Sequence, residues 1–161
     1  MTPLALIIAI LLQASPSPNA TAVPPAPVRE ALYPILDALS EAESHYADRR
    51  SDQQNAKFNA GFDKAARLID QLSQRKTENS DEALVVLLNF YVGEATGEDL
   101  LHDVTKRAKR MLPLLLKYRD KRVTFPDRSY PASIILDSGA RRQNFDDAIN
   151  AIRAGKVLGD D

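Results

Sequence analysis

The chain has 161 residues, of which 44% are hydrophobic and 27% charged, and its formal net charge is −1. This composition excludes disorder for the body of the chain and is sufficient for a single domain with an apolar core. Cysteine is absent, which excludes disulfides, thiol chemistry and cysteine-ligated metals. Tryptophan is absent and aromatic residues make up 6% of the chain, so the core must consist mainly of Leu, Ile, Val and Ala, as in packed helices.

The first residues have the pattern of a secretory signal peptide. Residues 4–12 are uniformly apolar, and the small-x-small sequence Ala20-Thr21-Ala22 follows them. The apolar run is shorter than the roughly 20 residues that a membrane-spanning helix needs. We therefore expect a signal peptide over residues 1–22, a proline-rich linker over 23–27 and one all-helical domain over 28–161. The expected location is the periplasm or the extracellular space, with a loose membrane tether if the leader stays attached.

Two helices are predicted at the start of the domain. The first spans residues 28–48, and its regular part is expected from about Leu32 because Pro34 is tolerated only near a helix start. The second spans residues 51–73, where apolar residues recur at spacings of three and four. This seam consists of Phe58, Phe62, Ala65, Ile69 and Leu72. Gly61 lies beside the seam, where a missing side chain would let another helix approach closely.

The centre of the domain is predicted to be an apolar helix at about residues 81–92. Ser80 is its expected N-cap, and Gly93 is its expected stop. The run from residue 83 to residue 92 is apolar on all sides except at Asn89, which would need hydrogen-bond partners inside the domain. Residues 93–97 then form a short connection, so the next helix should pack antiparallel to the central one.

The second half of the chain is also predicted to be helical. A helix is expected over residues 98–118, with a kink or break near 109–112 caused by Pro113. A loop over 120–131, a short helix over 131–136 that ends at Ser138-Gly139, and a last helix over 144–154 followed by Gly155 complete the chain. No strand is expected. The predicted fold class is therefore all-α, an irregular bundle or short stack of five to six antiparallel helices around the central apolar helix.

Positive charge is concentrated in the second half of the chain. Residues 29–96 carry 12 acidic and 8 basic side chains, whereas residues 97–161 carry 13 basic and 10 acidic ones. The stretch from residue 106 to residue 122 has eight bases and one acid, and aromatic residues are interleaved with bases just after it. Such a surface can attract an anionic partner, although a charge run is also typical of a solvated helix face. The candidate binding residues are Lys106, Arg110, Lys117, Lys121, Arg122, Phe125, Arg128 and Tyr130.

The two histidines offer an alternative. Glu41 precedes His45 by four residues and Glu98 precedes His102 by four residues, a spacing that places each pair on one helix face. Each pair supplies too few ligands alone, so a metal site would require the two helices to bring their pairs together.

No catalytic or cofactor motif stands out, so the sequence favours a non-catalytic interaction protein of the cell envelope, of the inhibitor or accessory type, without a cofactor. It would bind an acidic partner protein through the basic helix and the following loop. Two alternatives remain open: a metal-dependent enzyme or metal sensor that uses the histidine pairs, and a peripheral binder of anionic membrane headgroups. Nucleic acid is not an expected partner for an exported protein.

Overall fold

The computed structural model describes residues 20–45, 51–90, 94–131, 134 and 138–158. Within these residues six helices pack against one another, which confirms the all-α prediction. The helices are α1 (Ala26–Ser44), α2 (Asp52–Gln74), α3 (Glu78–Leu87), α4 (Glu94–Lys106), α5 (Ala108–Tyr118) and α6 (Ser138–Arg153). No helix in the described part of the chain is both long and apolar enough to cross a bilayer.

The first helix begins earlier than expected. Pro25 is the N-cap of α1 and Pro27 lies in its first turn, so the helix starts at Ala26 rather than near Leu32. Pro34 is therefore inside the helix, where it removes the hydrogen bond to the carbonyl of Glu30. Both residues lie on the exposed side of α1, so water can satisfy that carbonyl.

The contact between α1 and α2 confirms the predicted role of Gly61. A Cβ atom added at Gly61 would lie 2.6 Å from Cβ of Ala42, so the two helices can approach this closely only because the side chain is missing. The predicted seam on α2 is buried at Ala65, Ile69 and Leu72. The helix starts with a capping box in which Ser51 and Gln54 exchange hydrogen bonds.

Helix α3 is central, as predicted, because it contacts four other helices, α1, α2, α4 and α5. Residues 80–90 are buried, except for the half-buried Glu82. Both ends differ from the prediction. The N-cap is Thr77, which shares a capping box with Ser80, and the helix ends at Leu87 instead of continuing to residue 92. The expected stop at Gly93 lies outside the described residues.

Asn89 does not have the partners that we expected. Its side chain is buried, with the residue 1% exposed, yet its amide nitrogen and oxygen have no hydrogen-bond partner in the described part of the structure. An unpaired buried amide is costly. Among the residues that the structure describes, Asn89 is therefore an unfavourable polar position in the core.

The helix predicted over residues 98–118 is two helices. α4 starts at Glu94, so residues 94–97 are helical rather than a connection, and the break lies at Arg107 instead of 109–112. Near the end of α4 the hydroxyl of Thr105 donates to the carbonyl of Leu101, a local bond that bends helices. The amide of Arg107 then bonds to the carbonyl of Val104, three residues back, which tightens the last turn. Pro113 is accommodated inside α5.

The last helix also starts earlier than predicted. Ser138 and Gly139 begin α6 instead of ending a preceding helix. Of the short helix expected over residues 131–136, the structure describes Pro131 and Ile134, and the rest lies outside the described residues. The end of α6 confirms the prediction for Gly155, which adopts a positive φ of 69°. The amide of Lys156 bonds to the carbonyl of Ala151, as in a Schellman motif.

A two-residue parallel sheet corrects the expectation that the chain has no strand. β1 (Thr21–Ala22) pairs with β2 (Arg122–Val123). The amides of Arg122 and Thr124 donate to the carbonyls of Ala20 and Ala22 at 3.1 and 3.0 Å. Two-residue strands leave no alternating pattern in a sequence, which is why this pairing was not predicted. The end of the predicted signal peptide is thus hydrogen-bonded to the body of the protein.

Candidate interaction surface

A buried carboxylate organises the junction between α4 and α5. Asp81 lies in the first turn of the central helix and is 1% exposed. Its Oδ1 atom lies 2.8 Å from Nη1 of Arg107, and its Oδ2 atom lies 3.1 Å from Nε of Arg110 as an ion pair. A carboxylate at this depth requires such pairing, because an unpaired buried charge is strongly unfavourable.

The same two arginines also contact the turn between α2 and α3. Nη1 of Arg107 donates to the carbonyl of Arg75 at 3.1 Å, and Nη1 of Arg110 donates to the carbonyl of Lys76 at 3.2 Å. The start of α5 is therefore fixed against the end of α2. These hydrogen bonds bring two chain segments that are more than 30 residues apart next to each other.

We call the resulting cationic surface the basic corner. It consists of Arg75, Lys76, Lys106, Arg107, Lys109 and Arg110. Arg107 is half-buried and the other five are exposed. Lys106 and Lys109 form no ion pair within the described part of the chain, and the nearby acids Glu78 and Asp103 do not pair with any of the six cations. The basic corner therefore carries a local excess of positive charge over the single buried carboxylate.

Lys117 lies at the other end of α5 and is engaged within the protein. Its Nζ atom lies 2.6 Å from Oε1 of Glu82, which also accepts a 2.5 Å hydrogen bond from the hydroxyl of Tyr118. Burial, followed by the contact with Glu82, raises the pKa of the Tyr118 hydroxyl far above its ordinary value. On α5, Lys117 follows Arg110 by seven residues, or about 10 Å along the helix axis. Lys117 therefore lies apart from the basic corner, and the predicted basic face is not one continuous surface.

The loop after α5 is packed on α1 rather than open to solvent. Phe125 is 6% exposed, so it belongs to the core and is not available as a surface contact. Its ring centroid lies 5.9 Å from that of Tyr33, 5.6 Å from that of Phe90 and 5.7 Å from that of Tyr130. Contacts between rings at these distances stabilise the loop by more than the burial of their apolar surface alone.

Arg128 and Tyr130 also have partners on α1. The guanidinium of Arg128 forms an ion pair with Asp37 and lies 4.3 Å from the ring centroid of Tyr33. The hydroxyl of Tyr130 donates to Asp37 at 3.5 Å. Burial and the charge of Asp37 raise the pKa of Tyr130 to about 12, so it is neutral at physiological pH. Among the predicted loop residues, Lys121 and Arg122 form no ion pair in the described part of the chain.

The residues proposed for metal binding are not grouped in the structure. Within the described residues, no cluster of three or more His, Asp or Glu side chains could hold a metal ion. Glu41 forms an ion pair with Lys64 on α2, and His45 caps the end of α1. Glu98 and His102 are one turn apart on α4, where Nδ1 of His102 lies 3.0 Å from the carbonyl of Leu158. The histidine pairs therefore lie on different elements.

Sequence reasoning missed the acids that hold the bases. Asp81, Glu82 and Asp37 are not among the candidate residues singled out from the sequence. Arg75 and Lys76 were also missed, because their position beside α5 depends on tertiary packing. No local pattern marks any of these residues.

Comparison with known proteins gives no match for this chain, whether among protein-family models, curated proteins or solved structures.

Proposed function

We propose that this chain is an exported, non-catalytic interaction protein of the cell envelope that binds an acidic partner protein through the basic corner. One observation carries the proposal. Lys106 and Lys109 are exposed and form no ion pair in the described structure, while the neighbouring Arg107 and Arg110 are held in place by the buried Asp81. Two arginines that are held in place, next to two exposed lysines without an ion pair in the described structure, form a surface that is suited to binding a negatively charged partner.

The arrangement favours recognition over simple solvation. Free lysines on a mobile segment would lose conformational entropy on binding, which weakens association. Here the backbone that carries the lysines is anchored by Asp81 and by the carbonyls of Arg75 and Lys76. Charge complementarity at such a site mainly increases the association rate and selects the partner, and both effects weaken with added salt.

The metal-dependent alternative has less support. Its histidine pairs lie at the end of α1 and on α4, and the described residues hold no group of three or more His, Asp or Glu side chains that could bind a metal ion. Export is supported by the apolar leader and the small-x-small sequence before residue 23. The intact mass of the protein recovered from its own cells, together with cell fractionation, tests this part of the proposal.

Charge reversal tests the binding surface. The test variant carries Lys76→Glu, Lys106→Glu and Lys109→Glu, which leaves both partners of Asp81 in place. The control variant carries Lys57→Glu, Arg67→Glu and Arg153→Glu, three exposed cations on other faces. Binding is measured by fluorescence anisotropy with a labelled polyglutamate peptide, at low and high salt. We expect the test variant to bind roughly tenfold more weakly than the wild type, and the control to bind more strongly than the test variant.

Two outcomes would contradict the proposal. Equal losses in both variants would mean that net charge, and not the basic corner, attracts the peptide. Salt-sensitive binding to vesicles of anionic lipid with no binding to the peptide would favour the membrane alternative. Capture of an envelope protein by the wild type and the control, but not by the test variant, would then identify the partner.

A further inference from the structure

A small cavity lies beside the loop that follows α5, away from the basic corner. Its volume is about 220 Å³ and it is partly open to solvent. The buried side chains of Phe90, Val123 and Phe125 contribute to its walls, together with the half-buried ring of Tyr130. Arg122 and Ser129, both exposed, also line it. The cavity thus combines aromatic walls with polar groups at its mouth.

The two arginines that line this cavity differ in whether a carboxylate is paired with them in the described structure. Arg128 is paired with Asp37 and lies over the ring of Tyr33, so its charge is already balanced. Arg122 has no carboxylate partner in the described structure, although its backbone amide is fixed by the carbonyl of Ala20. The side chain of Arg122 is therefore exposed and without an ion-pair partner among the described residues, on a backbone held by the β1–β2 pairing.

We infer that this cavity binds a carboxylate attached to a single ring-sized apolar group. The guanidinium of Arg122 would bind the carboxylate with two parallel hydrogen bonds, and the hydroxyls of Thr124 and Ser129 are further donors among the lining residues. The ring of the ligand would lie against Phe90, Phe125 and Tyr130. One unpaired cation matches one negative charge, so a carboxylate fits better than a doubly charged phosphate.

The size of the cavity agrees with this ligand. An apolar cavity of about 150 Å³ binds benzene, so 220 Å³ has room for one ring and a carboxylate. Drug-sized ligands need roughly 300 Å³ or more. The ligand could be a free aromatic acid or the C-terminal phenylalanine of a peptide, because both present the same chemistry.

Binding is tested by NMR titration of the protein with two matched pairs of ligands. The first pair is phenylacetate and its neutral analogue phenylacetamide. The second is a short peptide that ends in phenylalanine, with either a free C-terminal carboxylate or an amide. We expect saturable shifts at Phe90, Val123 and Phe125 with a carboxylate, a dissociation constant in the millimolar range and much weaker binding of its neutral counterpart. Saturation by phenylacetate indicates a free acid, whereas saturation by the peptide acid alone indicates a C-terminus.

Arg122→Gln should weaken binding of the carboxylate roughly tenfold. Lys121→Gln is the matched control, since it removes the same charge one residue away and should leave the affinity unchanged. Thermal unfolding of both variants checks that the fold is intact. The inference is overturned if no ligand saturates, if acids and amides bind equally, or if Arg122→Gln binds phenylacetate and the peptide acid as the wild type does. Neither variant alters the basic corner, so failure here is separate from failure of the proposed function.

Discussion

Oδ1 of Asp81 lies 2.8 Å from Nη1 of Arg107, and this contact joins the buried start of the central helix to the junction of α4 and α5. The carboxylate side chain is 1% exposed and the arginine side chain is 12% exposed. At this depth the two charges depend on each other, because neither can be fully hydrated. The pair therefore fixes the junction and determines where the basic corner forms.

Asp81→Asn should destabilise the protein by about 3 kcal/mol, because it leaves Arg107 without its charged partner. The free energy of unfolding, measured by urea denaturation, checks this. Asp63→Asn is the matched control on an exposed side of α2 and should change stability by less than about 0.5 kcal/mol. Similar values for both variants would show that the ion pair does not hold the junction.

Gly61→Ala should destabilise the protein even though alanine favours helix formation by about 1 kcal/mol. The new Cβ would lie 2.6 Å from Cβ and 2.9 Å from Cα of Ala42, so α1 and α2 would have to separate. Overpacking of this kind costs about 1–3 kcal/mol. The midpoint of thermal unfolding should fall, and adding Ala42→Gly should recover part of the loss. A higher midpoint in Gly61→Ala alone would contradict the close approach.

Asn89→Leu should stabilise the protein by about 1–3 kcal/mol. Leucine has the same branched arrangement of side-chain heavy atoms, with larger methyl groups at its ends, and removes two buried polar atoms that lack hydrogen-bond partners in the described structure. Urea denaturation measures the change, and Asn89→Asp serves as a comparison that should destabilise strongly. A loss of stability in Asn89→Leu would mean that the amide is satisfied by a group outside the described residues.

The Asp146 carboxylate should contribute stability that depends on pH. Its pKa is lowered, chiefly by the 2.7 Å hydrogen bond from Nε of Arg119. A lowered folded-state pKa gives stability that is complete above the unfolded pKa of about 4 and is lost as the pH falls through the folded value. The difference in unfolding free energy between the wild type and Asp146→Asn should therefore be constant near neutral pH and shrink below about pH 4. Since the pair is partly exposed, we expect at most about 1 kcal/mol.

Removal of residues 1–22 should be less well tolerated than removal of residues 1–19. The longer truncation deletes the carbonyls that accept from Arg122 and Thr124. Each such hydrogen bond contributes about 0.5–1.5 kcal/mol. Denaturation of the two truncated proteins measures the difference. Equal stabilities would show that β1 is not needed by the folded domain.

The sequence predicted features that depend on local spacing. The seam on α2, the close approach at Gly61 and the left-handed Gly155 all follow from residue type and helical period. The first residue of a helix was less predictable where two nearby residues can each serve as the N-cap. Thr77 and Ser80 are both good N-caps three residues apart, and the capping box uses them together.

The site was less predictable because its contacts join distant segments. Lys117 and Glu82 are 35 residues apart in the chain, and Arg128 and Asp37 are 91 apart. A dense run of bases in the sequence therefore suggests one continuous exposed surface, whereas ion pairs in the folded structure neutralise part of its charge. Phe125 resembles a surface aromatic for the same reason, since its ring partners lie on other elements.

If the predicted signal peptide is removed, the pairing of β1 with β2 makes the position of the cleavage matter for the structure. Cleavage after Ala22 would leave the amides of Arg122 and Thr124 unpaired and create an open strand edge next to the cavity. Cleavage before Ala20 would keep that edge closed. An open edge is a template for an added strand from another chain. The position of the cleaved bond would thus decide whether β2 pairs with β1 of its own chain or is left open to a strand from another chain.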